Sequence, residues 1–361
     1  MKLTWKLLAS ALLAACVTVV NAAPKDRNLD AVDAGDTALT VATSLSSAKA
    51  YHRSNEDVVI GVVFSNTSAS PVMLANWLFD ATDPDRSFLK VSRDGQPADY
   101  LGALVKRMAL TVDDATVLQP GESMTVNYEL SSVFNLAQGG VFEVAFSGSA
   151  KHAIAGQTQS SDAISLAVEA DPHRDLMSAI DHSKAAGAGG ISYSGTKCTA
   201  SRKSALVTAL TNAEAYAGAA VTYLSGTPTA TTRYTTWFGA LSTANWNTVK
   251  THFTNIRAVY NTQPIVFDCG CTKKNTYAYV YPAQPYKIYL CGAFWSAPAT
   301  GTDSKAGTLV HETSHFTVVA GTQDYAYGQT LAKNLALTNP AQAVMNADSH
   351  EYFAENTPAL P

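Results

Sequence analysis

Between Cys16 and Cys198 the chain has no cysteine, so nothing in that stretch can be held by a disulfide or a thiolate-bound metal. Charge is scarce as well. Charged residues make up 15% of the 361 residues and hydrophobic ones 47%, which excludes a disordered chain and leaves core material for two or three domains. No stripe of Lys and Arg with interleaved aromatics occurs, which argues against a nucleic-acid partner. No uninterrupted apolar run reaches the roughly 20 residues that a membrane-spanning helix needs.

The apolar segment that is present lies at the start, in "MKLTWKLLASALLAACVTVVNAAPKD". Lys2 and Lys6 precede an apolar run, and small residues precede Pro24, the layout of a secretory signal peptide. Residues 1–23 are therefore expected to be a signal peptide cut near Ala23, with export of the rest. "LAAC", ending at Cys16, also has the form of a lipoprotein cleavage box, so lipid anchoring at Cys16 is the alternative.

Net charge is −4 over the whole chain but unevenly spread. Residues 1–183 carry 13 Lys and Arg against 21 Asp and Glu; residues 184–361 carry 12 against 8. An acidic and a basic half suggest units that attract one another. Residues 24–172 read as short strands, among them "DVVIGVVFSN", "GGVFEVAFSG" and the Pro-Gly turn and strand of "LQPGESMTVNYEL", which places Met124, Val126, Tyr128 and Leu130 on one face. Such spacing predicts an all-β immunoglobulin-like sandwich. Residues 173–191 contain "AAGAGG", a flexible linker open to proteolysis. Residues 192–361 change to helical periodicity with a few short strands, "PIVFDCGC" and the hairpin pair "YAYVY" and "YKIYLC", predicting a helix-dominated α+β domain.

The chemistry concentrates in "HETSHFTVVAGTQDYAYG" from His311 to Gly328. On a helix, His311 and His315 project from one face, and both imidazoles reach one metal ion. Glu312 stands about 100° around the axis, where its carboxylate serves as a base without ligating. A third ligand must complete the set. The spacing of a further histidine that defines metzincins is missing, because Gly321 stands at that position. A gluzincin would use Glu351 or Glu355. The remaining carboxylate is Asp324, which Gly321 and Gly328 allow to turn back toward the helix. The four cysteines of the second half, Cys198, Cys269, Cys271 and Cys291, suggest two disulfides. Cys269 and Cys271 are too close to favour pairing with each other, and two connectivities stay open.

The pair HExxH and GTxDxxYG resembles the aspzincins, the deuterolysin and peptidyl-Lys metalloendopeptidase family, and "RYTTWFG" and "NADSHEYFAEN" look like further family segments. The resemblance implies a zincin-type peptidase domain over 192–361 with one Zn2+ held by His311, His315 and Asp324. It implies Glu312 as general base, Tyr327 as donor to the tetrahedral oxyanion, and the pairs Cys198–Cys269 and Cys271–Cys291. In the Lys-selective members an acidic pocket receives the residue after the scissile bond; Asp348 and Glu351 stand at the matching positions. Two carboxylates there would favour a lysine ammonium, giving cleavage of Xaa-Lys bonds in protein and peptide substrates. The β-rich half resembles the prosegment of bacterial exported toxin peptidases of this family. It is expected to fold with, cover and inhibit the peptidase, with Lys151 as a candidate pocket blocker and Ser183–Lys184 as a candidate self-cleavage bond. The rivals are a broader deuterolysin-like specificity, a gluzincin-type enzyme, and a surface adhesin with a degenerate peptidase domain.

Overall fold

The computed structural model describes residues 41–80, 83–108, 111–148, 159–171 and 190–361. Cys16, Ala23, Lys151, Ser183 and Lys184 lie outside them. The acidic half contains β1 (Val41–Ser46), β2 (Tyr51–His52), β3 (Val59–Asn66), β4 (Val72–Ala75), β5 (Leu89–Arg93), β6 (Gln96–Pro97), β7 (Leu104–Arg107), β8 (Ala115–Leu118), β9 (Ser123–Glu129), β10 (Gly140–Gly148), β11 (Gln159–Ser160) and β12 (Ile164–Val168). One sheet runs β1-β3-β9, a second runs β2-β12-β10-β5-β6 with β11 on β10, and β4 pairs with β8. Alternation decides what lies between them. Ile60, Val62 and Phe64 of β3, Val126 and Tyr128 of β9, and Phe142, Val144 and Phe146 of β10 all turn into one shared core, while Val141 faces solvent. Each strand thus has one apolar face, as a half-buried antiparallel sheet requires.

β7 leaves this arrangement. It joins a sheet ordered β13-β14-β16-β15-β7, whose other members are β13 (Ile191–Ser194), β14 (Ile265–Asp268), β15 (Thr276–Val280) and β16 (Lys287–Leu290). The two halves therefore share a sheet, which the strand pattern of either half alone does not announce. β15 and β16 form the expected antiparallel hairpin pair. β7 runs antiparallel to β15, with Val105 opposite Tyr279 and Lys106 opposite Ala278.

The helices follow from local signals. α1 (Ala200–Leu224) starts at Thr199, whose side chain accepts from the Arg202 amide. Its buried stripe of Leu206, Ala209, Ala213, Ala217, Ala220 and Leu224 is small enough for neighbouring helices to approach closely. α2 (Thr232–Phe238) and α3 (Thr243–Thr262) are capped by Thr231 and Ser242 in the same manner. α4 (Gly292–Ser296), α5 (Lys305–His315), α6 (Gly328–Thr338), α7 (Pro340–Ala343) and α8 (Ala347–Glu355) complete the chain. Ser304 caps α5, and every residue of α5 from Ala306 to His315 is buried. A Cβ at Gly307 would meet Glu355 Oε1 at 2.1 Å, so glycine there lets α5 lie against α8. Cys198–Cys269 and Cys271–Cys291 are bonded. Among the described residues no helix is long and apolar enough to cross a membrane.

Behind α8 sits a buried histidine pair. His350 Nδ1–H donates to the Asn346 carbonyl at 2.9 Å, so its Nε2 accepts from His252 Nδ1–H at 3.0 Å. Burial lowers His252 to about 4; burial, aided by its histidine neighbours, lowers His350 to about 3. Both imidazoles are thus neutral when folded, and an unfolded chain takes up their protons first as pH falls. Stability is expected to be full above about 6.5, the ordinary histidine value, and to decline as pH drops from there toward 4. Urea midpoints across that window should fall less steeply in His252→Gln, which has lost one of the two groups.

Candidate active site

α5 supplies two side chains to one point, and the loop that follows it supplies a third. His311 Nε2 and His315 Nε2 are 3.1 Å apart, and Asp324 Oδ1 lies 3.2 Å from the first and 3.3 Å from the second. The loop that returns Asp324 is pinned at several places. Gly321 takes a φ of +61°, the Thr322 amide donates to the Ser314 carbonyl, and His315 Nδ1–H donates to the Thr322 carbonyl at 2.9 Å. Asn346, just before α8, accepts from the amides of Tyr325 and Ala326 at 3.0 and 3.1 Å. Gln323 bonds through its backbone to Met345 and Ala347. Sequence reasoning missed Asn346 and Thr322; the only sequence signal for Asn346 is its place at the head of a family-like segment.

Donor chemistry and spacing suit a small divalent ion. Two imidazoles and one carboxylate are a catalytic zinc's usual protein ligands, and bonds of about 2.0–2.1 Å in a tetrahedron put ligand atoms roughly 3.3 Å apart. Asp324 Oδ1 is buried without a hydrogen-bond partner among the described residues, as an atom directed at a metal would be. Burial opposes ionisation of Asp324, but His315 and His311 hold its carboxyl well below the usual range. Glu312 is fully buried beside them, and burial is the main reason that its carboxyl lies well above the ordinary value.

The far side of His311 meets a second acidic group. His311 Nδ1 is 2.8 Å from Asp348 Oδ1 and 3.4 Å from Glu351 Oε2, a carboxylate contact that orients the ring and directs Nε2 toward His315. His311, Asp348 and Glu351 also lie close enough together to hold an ion, but this group already has a cation. Lys106 of β7 reaches in with Nζ 2.6 Å from Glu351 Oε2, 3.5 Å from Asp348 Oδ1 and 3.6 Å from Asp303 Oδ1. Its ring neighbours are Tyr277 and Tyr352. Burial alone would lower the Lys106 pKa; Asp348, Glu351 and Asp303 reverse that and keep the ammonium charged. Glu355, the other gluzincin candidate, is turned away and accepts from the amides of Asp303 and Ser304.

The lysine in this acidic group is Lys106; the sequence candidate Lys151 lies outside the described residues. Lys106 sits inside a strand whose neighbours Leu104 and Val105 are buried, so "LVKR" reads from sequence as an ordinary core strand. The backbone beside it is engaged as well. The Val105 amide donates to Asp324 Oδ2 at 3.1 Å, and the Tyr327 hydroxyl donates to the Val105 carbonyl. Asp348 meanwhile accepts from the Gly328 amide at 2.6 Å, tying the end of the Asp324 loop to α8.

Comparison with known proteins shows these similarities. A family model described as lysine-specific metallo-endopeptidase, the aspzincin group, matches residues 223–355. A protein of Aeromonas hydrophila named extracellular protease is 43% identical over 314 residues, covering 85% of this chain and 90% of its own. A peptidyl-Lys metalloendopeptidase of Armillaria mellea is 45% identical over 316 residues, covering 84% and 88%. Among solved structures, a zinc peptidase from Grifola frondosa is 52% identical, covering 45% of this chain and 100% of that one at a TM-score of 0.44.

Asn346 offers a test of how the Asp324 loop is held. Asn346→Ala removes the acceptor from two amides, and partners of this kind typically matter about 10–100-fold for metal affinity. A loss of that size is expected in competition with a chelator, with the far-ultraviolet dichroism unchanged.

Proposed function

This chain belongs to the aspzincin family of zinc metalloendopeptidases, and from that premise we propose that it is exported as a latent precursor and, once activated, cuts peptide bonds on the N-terminal side of lysine. The observation that carries the reading is the seat of β7. A lysine ammonium lies among Asp348, Glu351 and Asp303, while the carbonyl of the residue before it accepts from Tyr327. That is the layout expected of a substrate with its scissile carbonyl at Val105 and its lysine in the following pocket. β7 also pairs with β15 as an added strand, a common way of binding an extended peptide.

In this proposal His311, His315 and Asp324 hold the zinc. Bound there, zinc would supply Lewis acidity, polarising the scissile carbonyl and lowering the pKa of water. Glu312, kept basic by burial, accepts a proton from the attacking water and passes it to the leaving amine. Tyr327 donates to the carbonyl oxygen as negative charge develops on it. Asp348 and Glu351 repel one another unless a cation lies between them, and this selects lysine. The β-rich half acts as the prosegment, an immunoglobulin-like sandwich in type, because two of its sheets close over one core and send β7 across the cleft. Export through residues 1–23 fits a relative named as an extracellular protease. Broader specificity is the second reading; the buried ammonium contact favours lysine over it.

Three measurements test this. Glu312→Gln is expected to retain about one zinc per chain and lose peptide hydrolysis by several orders of magnitude, whereas Asp324→Ala should lose the zinc itself; zinc retained in Asp324→Ala would return the assignment to a glutamate ligand. Peptide mapping of a denatured substrate should place the cuts before lysine, and scattered cuts would sink the specificity. Lys106→Ala in the precursor removes the pocket's cation and should raise the residual activity of the uncleaved chain several-fold.

A further inference from the structure

Beyond the lysine pocket the prosegment strand continues to Arg107, and what it meets there bears on substrate choice. Arg107 Nη2 is 2.6 Å from Asp83 Oδ1, both buried, and its guanidinium lies over Trp77. The other oxygen of Asp83 is 3.0 Å from Lys273 Nζ of the peptidase half, and Asp80 Oδ2 lies 3.4 Å from the same nitrogen. Asp83 therefore stands between two cations that would otherwise repel. A cavity of about 500 Å³ opens at this junction, lined among others by Asp83, Arg107, Lys273 and Lys274.

Lys273 is held in place by the peptidase half itself. The Gly292 amide donates to the Lys273 carbonyl at 2.8 Å, and Cys271–Cys291 ties both flanks. A Cβ on Gly292 would meet Lys274 Cα at 2.8 Å and the Lys273 oxygen at 2.9 Å, so the two backbones are in close contact. The next residue but one, Asn275, accepts from the Met108 amide through its carbonyl at 3.1 Å. Lys273 thus borders the track of an extended peptide where it passes the lysine pocket.

We infer that Lys273 is a specificity-determining residue which favours Asp or Glu as the residue immediately following the lysine of the substrate, and disfavours Arg there. The inference rests on the reading of Lys106 as a stand-in for the substrate lysine. In the precursor the prosegment brings its own carboxylate, Asp83, to offset Arg107 and Lys273 together. Asp80 and Asp83 leave with the prosegment, and Lys273 then faces the peptide. An acidic side chain there takes the role of Asp83, whereas an arginine meets the Lys273 ammonium with no carboxylate between them.

The test uses zinc-loaded enzyme activated from the full-length precursor and three quenched peptides that differ only in the residue after lysine: Glu, Gln or Arg. The Glu-to-Arg ratio of kcat/KM is expected to be about three- to tenfold at low ionic strength, as for a partly exposed charge pair, and to shrink with added salt. Lys273→Gln should bring the ratio close to one, and Lys273→Arg should keep it. Each ratio is taken within one enzyme, so a general loss of activity cancels. A ratio near one in the wild type, or one that survives Lys273→Gln, overturns the inference while leaving cleavage before lysine intact. If none of the three peptides is cut before its lysine, both the inference and the lysine reading fall.

Discussion

An ammonium cannot be buried without carboxylates, and two adjacent carboxylates cannot both be buried and ionised without a cation. Lys106 on one side, and Asp348 with Glu351 on the other, satisfy that mutual requirement across the two halves of the chain. Much else follows from it. Asp348 is the same carboxylate that orients His311 and accepts from the Gly328 amide, so the lysine pocket and the proposed metal ligands share a wall. The group proposed to recognise a substrate lysine thereby sits within a hydrogen bond of the group proposed to hold the zinc. On that proposal, lysine recognition and the position of His311 are mechanically linked.

The scaffold behind that wall is the contact of α5 with α8. Gly307 permits the close approach, Glu355 caps the start of α5 through Ser304, and Asn346 at the head of α8 holds the Asp324 loop. α8 thus contributes to four features at once: the α5 cap, the loop, the pocket and the neutral histidine pair. Most of its residues are buried for this reason, including the polar Asp348, Ser349, His350 and Glu351. Burial of so many polar groups in nine residues is sustainable because Asp348, Ser349, His350 and Glu351 have defined partners.

Much of this was legible in the sequence, for reasons that differ by residue. His311, Glu312 and His315 are read from helix periodicity, a local property. Asp324 and Tyr327 are read through the resemblance of HExxH and GTxDxxYG to the aspzincin motifs, nine and twelve residues beyond His315; the flanking glycines by themselves only permit the turn. The strands of the acidic half are announced by their alternation. Lys106 was not legible, because its partner Asp348 lies 242 positions away and the residues around it have the pattern of a core strand. A charged residue in an apolar strand is the one available signal, since such a residue is rarely buried without a partner. Asn346 was hidden likewise: its work is done by one side-chain oxygen on backbone amides some twenty residues back.

The way the halves dock also runs against their overall charge. An excess of acid on residues 1–183 and of base on the remainder suggests broad attraction, yet salt screens such surface charge over about 8–10 Å. At the cleft the signs are reversed: a cation of the acidic half enters an acidic pocket of the basic half. Among the described residues, the ion pairs of Asp80 and Asp83 with Lys273 follow the global trend. Buried pairs therefore carry the docking, and covalent linkage strengthens it, because a tethered strand is present at an effective concentration that a diffusing substrate rarely reaches. In the proposed precursor the same pocket is blocked by Lys106 while the chain is whole, and on that proposal it opens to substrate lysines once the connection is cut. Its affinity for an ammonium does not have to change; only the local concentration of the competing lysine does.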